Sequence, residues 1–393
     1  MTLPRRFLEG QIKAITRRCV DRKLLLLPLP EVKQIVEYAL AVALARYPSV
    51  HLIAFVCLGN HFHLVLHDAR PPGSGARSEI SSFLQDFDSL TGRALNHYWD
   101  RGGSLWCQGS FDDVDVFGER TLEEQLLYLW CNPTAAGLVE RPSDWPGVIR
   151  LPEDFGRAFT VEKPRTGFFT GARGEAETPA LSLESQRLRT LREEEAEALA
   201  TLRDRRREEA RQRKRGDKRR KELEKQRARR RRRKRKEKER APRSPEQASR
   251  STLPEAASYT VHRPPGYEHL SDDELRAHFR QLLDARLTAL HAERQEQGFR
   301  RYLGREGVLA QRSSDTPPGG TRPSFGRNPR IACKDKERRI GEILRLQDWR
   351  RRYRAALEEW NRKNYYDAVF PEGTYAMARF HGARVERAPP PAA

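Results

Sequence analysis

Between Leu202 and Leu223 the chain carries no Leu, Ile, Val or aromatic residue. Such a stretch has no apolar surface to bury, and burial is the main term that offsets the entropy of ordering a chain. The gap therefore separates the 393 residues into flanking regions that can fold and a charged segment that cannot fold alone. Charge follows the same division. Residues 1–150 hold 16 Lys/Arg and 17 Asp/Glu, whereas residues 201–240 hold 24 and 8, which is most of the formal net charge of +20. The length suggests two or three domains. Residues 1–150 read as a globular domain and 151–180 as a linker containing Gly, Pro and Thr. Residues 181–240 read as a charged helix running into a polybasic arm, 241–262 as a second linker, and 263–393 as an α-rich C-terminal region whose tail from Ala388 is disordered. Leu181, Leu188, Leu191, Leu199 and Leu202 form an apolar stripe too brief for a coiled-coil seam.

Several classes are excluded. No run of 18 apolar residues exists, so no membrane-spanning helix is expected. The opening MTLPRRFLEG has no apolar run behind its arginines, unlike a secretory signal. Cys19, Cys57, Cys107, Cys131 and Cys333 are scattered, odd in number and never spaced CxxC. That disfavours a disulfide framework or a zinc ribbon and suits a reducing cytoplasm, with association to the nucleoid if the cell is bacterial.

Within residues 1–150 the pattern alternates between strand and helix. Gln11 to Cys19 reads as a short strand. A helix is expected over about 31–47, with Val32, Ile35, Val36, Leu40, Val42 and Leu44 apolar. His51 to Leu58 is a near-continuous apolar run, the pattern of a strand buried on both sides. Gly59-Asn60 is a two-residue hairpin signal, and His61 to His67 then alternates, with Phe62, Leu64 and Leu66 on one face and His61, His63, Val65 and His67 on the other. Helices are expected over roughly 78–97 and 119–131. Strand, helix, hairpin and helix in this order indicate an α+β layer with helices against one sheet face. Farther on, Ser271-Asp272-Asp273-Glu274 is a capping-box pattern ahead of Leu275, Phe279, Leu282, Leu283 and Leu290. A second long helix is expected over about 335–363, and residues 369–375 read as a turn into a terminal strand.

His61 and His63 are the first candidates for chemistry. Two residues apart on a strand they share a face, with bases roughly 6–7 Å apart, close enough to hold one divalent ion. The same pair also fits the polar face of an ordinary sheet, and two ligands alone do not make a site.

Two longer stretches add to the pair. GNHFHLVLH after an apolar strand, followed by LLYLWCNPTAAGLVERPSDWP, resembles the REP-associated tyrosine transposases, which belong to the wider HUH single-strand DNA transposases. SSFLQDFDSLTGRALNHYWDRGGSLW is similar to the helix and aromatic turn of that family, and the resemblance covers about residues 4–150. It implies a ferredoxin-like antiparallel sheet with helices on one face, a homodimer, and action on single-stranded or hairpin DNA. It also implies Mg²⁺ or Mn²⁺ held by His61, His63 and a third ligand, and a tyrosine that forms a 5′-phosphotyrosyl intermediate. The metal matters because a phenol of pKa about 10 is a weak nucleophile until charge is drawn from the phosphate.

The nucleophile departs from that pattern. Where a tyrosine is expected shortly after Trp106, this chain has Ser110 and Phe111, and Phe111 has no hydroxyl. Tyr128 and Asn132 instead have the spacing of a nucleophile and an amide ligand on one helix face, with Pro133 expected to end that helix. Tyr128 as a packing aromatic is the competing reading. Glu124 and Gln125 are further third-ligand candidates. In the arm, Arg229, Arg230, Arg231, Arg232, Arg233, Lys234, Arg235 and Lys236 run without interruption. Such a run neutralises phosphates without reading bases, or serves as a solvated spacer. Trp349, Tyr353 and Trp360 lie among arginines, which fits either stacked bases or a buried helix stripe. The whole sequence reads as a transposase-like DNA-binding protein, with a catalytically inactive binding module as the alternative.

Overall fold

The computed structural model describes residues 5–70, 77–107, 111–165, 167–168, 253–299, 301–317 and 330–386. Residues 181–240, with the basic run Arg229–Lys236, lie outside the described residues. The first half follows the order β1 (Ile12–Arg18), α1 (Pro30–Arg46), β2 (Val50–Cys57), β3 (His61–Asp68), α2 (Ile80–Tyr98), β4 (Asp112–Phe117) and α3 (Glu119–Ala135). The strands lie in the order β2-β3-β1-β4, each antiparallel to its neighbour, and the sheet is extended past β4 by a parallel strand from the C-terminal region, Ile331–Cys333. The protein is of the α+β class.

The alternation of β3 decides what each face meets. Phe62 is buried with its ring 5.1 Å from that of Phe87 on α2 and 5.5 Å from Trp106. His63, on the other face, is met by Asn132 of α3. The expectation of helices on one face is therefore corrected: α2 and its neighbour α1 cover the Phe62 face, while α3 crosses the histidine face. Burial gives the reason. β2 is buried along almost its whole length, as its unbroken apolar run predicts, so its second face also needs a cover. Leu122, Leu126, Leu129 and Trp130 of α3 are buried and supply one. Trp130 anchors the helix by donating from Nε1 to the Arg150 carbonyl (2.7 Å), and Trp145 donates from Nε1 to the Cys57 carbonyl at the end of β2 (2.9 Å). Gly118 makes this path possible. It alone connects β4 to α3, at φ +84°, where a side chain would be strained.

α3 also runs further than expected. It continues through Pro133 to Ala135, because a proline one turn from the C-terminus removes little from the ladder of helix hydrogen bonds.

The C-terminal region is woven into the same compact unit, which comprises residues 1–170 and 254–393. The segments expected as linkers carry paired strands, β5 (Ala158–Glu162) and β6 (Ala256–Thr260), antiparallel to each other. After them come α4 (Asp272–Glu296), α5 (Gly304–Leu309), β7 (Ile331–Cys333), α6 (Lys336–Asn361), β8 (Val369–Phe370), α7 (Ala376–His381) and β9 (Arg384–Val385). Under α6 the fully buried Lys13 bridges Asp115 (2.5 Å) and Asp113 (3.4 Å), and Arg5 and Arg330 also reach Asp113 (2.7 and 2.8 Å). Trp349 is buried, and Tyr353 and Trp360 pack on a cluster of Ala356, Ala368, Phe370, Met377 and Ala383. These aromatics pack in the C-terminal lobe, Trp349 buried and Tyr353 and Trp360 half-buried. Among the described residues no helix is long and apolar enough to cross a membrane.

The capping box at the start of α4 forms as its sequence predicts. Ser271 Oγ accepts from the Glu274 amide (3.3 Å), and Glu274 Oε2 accepts from the Ser271 amide (2.8 Å). Ser271→Ala is expected to cost about 1 kcal/mol of stability, measured by urea denaturation. An unchanged midpoint would mean the cap is replaced by water.

Candidate active site

The register of β1 on β3 sets the floor of the site. Thr16 faces His63 and Arg18 faces His61, and all four side chains lie on one face of the sheet. The two imidazole rings are 4.8 Å apart, close to perpendicular. Hydrogen bonds fix their tautomers. Asn60 donates from Nδ2 to the Arg22 carbonyl (3.2 Å), which turns its Oδ1 toward His61 Nδ1 (2.6 Å). An amide oxygen only accepts, so the proton of His61 sits on Nδ1 and Nε2 keeps its lone pair. In His63, Nε2 accepts from the Asn132 side-chain amide (3.2 Å), so Nδ1 carries the proton and donates to Thr16 Oγ1 (2.8 Å). Both rings thus reserve Nε2 as a donor of electrons.

Burial keeps them neutral. Together with the cations of Arg18 and Arg22 it pushes His61 down to about 4, and it holds His63 well below the ordinary histidine range, helped by His61 and Arg18. A histidine whose folded-state pKa lies below its unfolded value takes up a proton on unfolding. Its stabilising contribution is therefore complete above pH ~6.5 and is lost as the pH falls toward 4. For His61 the full shift corresponds to about 3 kcal/mol. Urea denaturation at pH 7 and pH 5 should show the loss in wild type, and His61→Gln combined with His63→Gln should flatten it. An equal slope in both proteins would place the titration at His51, His67 and His262, whose pKa values are also lowered by burial.

α3 supplies the roof. Tyr128 is 60% exposed, and its ring lies 5.5 Å from that of His63, edge to face. Asn132, one turn later, touches His63 directly. The helix spacing thus places an accessible phenol and an amide beside the same imidazole. Tyr128 is too exposed to serve as a packing residue.

The expected nucleophile region is occupied differently. Phe111 lies beneath the guanidinium of Arg5, 3.7 Å from ring centroid to Cζ, and its carbonyl accepts from that arginine; Ser110 is outside the described residues. Of the other third-ligand candidates, Glu124 is paired with Lys334 (2.6 Å), and no contact of Gln125 with either histidine is among those of the described residues.

Among the described residues no group of three or more His, Cys, Asp or Glu is placed to hold an ion. His61 keeps a free Nε2 lone pair, whereas that of His63 is engaged by the Asn132 amide; the set nevertheless fits a weakly held divalent ion, because rotation of that amide presents its oxygen and releases His63 Nε2. Imidazole nitrogen suits Mn²⁺ better than Mg²⁺, which prefers oxygen.

Sequence reasoning missed Asn60 and Thr16. Asn60 was legible only as a turn residue; its second role depends on the Arg22 carbonyl being brought to it. Thr16 could be found only from the pairing of β1 with β3.

No protein-family description matches the chain, and no curated protein matches it. Solved structures are similar to part of it, two transposases among them. One is a REP-associated tyrosine transposase bound to a REP hairpin, 22% identical, with a TM-score of 0.31, covering 37% of this chain and 81% of that one. The other is a candidate transposase from Deinococcus radiodurans, 18% identical, with a TM-score of 0.23, covering 33% of this chain and 95% of that one. Superposition this loose carries no functional assignment.

Proposed function

We propose that this chain is a transposase-like DNA-processing protein that cleaves and rejoins single-stranded or hairpin DNA through Tyr128. The observation that carries this is the meeting of an exposed phenol, Tyr128, with the His61–His63 pair and Asn132 on one face of the sheet. The strand order β2-β3-β1-β4, fully antiparallel, supports the ferredoxin-like reading of the domain. His61, His63 and Asn132 would hold Mg²⁺ or Mn²⁺. Such an ion would neutralise charge developing on a phosphate.

The protein's own part is positioning. Asn60 and Thr16 hold the imidazole tautomers, and α3 presents Tyr128 to solvent, where a DNA strand can reach it. The Tyr128 oxygen forms a bond to phosphorus as the P–O3′ bond breaks. The tyrosine proton passes to solvent, and the departing 3′ oxygen takes up a proton. Reversal by a 3′-OH releases the tyrosine and rejoins the strand.

The second reading, a binding module without catalysis, is favoured by one observation. His63 is already satisfied at both nitrogens by Thr16 and Asn132, a complete structural role. Incubation with single-stranded hairpin oligonucleotides and Mn²⁺, followed by denaturing electrophoresis, separates the two. A covalent protein–DNA band supports cleavage, and its absence over a range of hairpins supports the module.

A further inference from the structure

Among the described residues, two arginines stand beside the histidines without a carboxylate to neutralise them. Arg18 is exposed and lies directly opposite His61 in the β1–β3 register, so its side chain leaves the same face. Arg22 follows after a sharp reversal of the chain, and both guanidinium groups act electrostatically on His61. Among the described residues neither makes an ion pair, and Asp21, the carboxylate between them, pairs with neither. The backbone here is unusual. Asp21 (φ +51°) and Arg22 (φ +57°) are consecutive non-glycine residues in the left-handed region, a conformation that persists only where surrounding contacts enforce it. The enforcing contact is visible: Asn60 donates to the Arg22 carbonyl, and the same amide orients His61. The strained turn therefore ties the position of Arg22 to the position of His61.

Unpaired cations beside a prospective metal site are unfavourable for a bare divalent ion. They become favourable when an anion lies between. We propose that Arg18 and Arg22 form a clamp for one phosphodiester of a single DNA strand at the His61–His63 face, so that strand and divalent ion bind there cooperatively. It rests on the DNA-processing reading above. Arginine suits the role because its planar fork can grip both non-bridging oxygens of a phosphate. Each ligand then relieves the repulsion that the other would meet alone, and such coupling is reciprocal.

The test uses the full chain and the double variant Arg18→Gln/Arg22→Asn. Asparagine tolerates the left-handed turn, so the charge is removed with little change of backbone. In EDTA, single-stranded oligonucleotides are titrated in which one linkage at a time is a neutral methylphosphonate. Wild type is expected to lose about tenfold or more in affinity at one linkage. The variant should bind the unmodified strand about tenfold more weakly and be indifferent to that linkage. Contacts from the basic arm spread over many linkages and do not produce such a profile. Calorimetry with Mn²⁺ is the second readout. Unmodified strand should tighten Mn²⁺ binding about tenfold in Tyr128→Phe protein, and by less than threefold when the two arginine changes are added. A variant profile equal to wild type overturns the clamp, as does wild type that binds no strand in EDTA. Since the first measurement involves neither metal nor Tyr128, a clamp that stands without any covalent band would sink the cleavage reading alone. A covalent band with an unaltered linkage profile would sink the clamp alone.

Discussion

Tyr128→Phe is expected to reduce the covalent protein–DNA adduct to background while leaving the melting temperature within about 2 °C of wild type. The two halves of this expectation rest on separate observations. The hydroxyl is the only atom removed, and phosphorus cannot be attacked by a phenyl ring. At 60% exposure the ring contributes little to the core, so the fold has no reason to respond. Electrophoresis of the adduct together with a melting curve checks both. An adduct that survives in the variant would transfer the nucleophile to another tyrosine. Tyr98 is a poor substitute, because it lies on α2 and its hydroxyl is directed to Glu31 (3.5 Å), away from the histidine face. An adduct lost along with the fold would mean that Tyr128 is structural after all.

The basic arm should dominate the salt dependence of binding. Residues 1–150 are nearly neutral and residues 201–240 hold 24 Lys/Arg against 8 Asp/Glu, so non-specific affinity should come chiefly from the arm. Each phosphate neutralised on a single strand contributes a slope near −0.7 in log K against log salt. If about six charges engage, affinity should fall on the order of several hundredfold between 50 and 200 mM salt. Deletion of 201–240 should flatten that slope and leave hairpin preference largely intact, because phosphate contacts position and base contacts specify. A salt titration of full-length and deleted protein on hairpin and unstructured oligonucleotides is the measurement. An unchanged slope would make the arm a spacer and move the phosphate contacts to the folded unit, with Arg18 and Arg22 first among them.

What the sequence determined by itself is local. The β2 run from His51 to Leu58, the Gly59-Asn60 turn, the alternation that sets Phe62 against His61 and His63, and the Ser271 cap all follow from period, turn chemistry and capping, which act within a few residues. Each stands in the structure within one or two residues of its expected place. The spacing of Tyr128 and Asn132 likewise placed them on one helix face. Only the tertiary structure decided which face of the sheet that helix would cover. The choice depends on β2 being buried from both sides and on Gly118 turning α3 across the histidines, and neither is visible in the periodicity of α3. The strand Ile331–Cys333 is a similar case. Three residues carry no measurable period, and the strand exists because the edge of β4, hundreds of residues earlier, offers it hydrogen bonds. Asn60, Thr16, Arg18 and Arg22 became site residues in the same way. Their types are ordinary, and what joins them to His61 and His63 is a cross-strand register and a strained turn, set by contacts between segments that the sequence keeps apart.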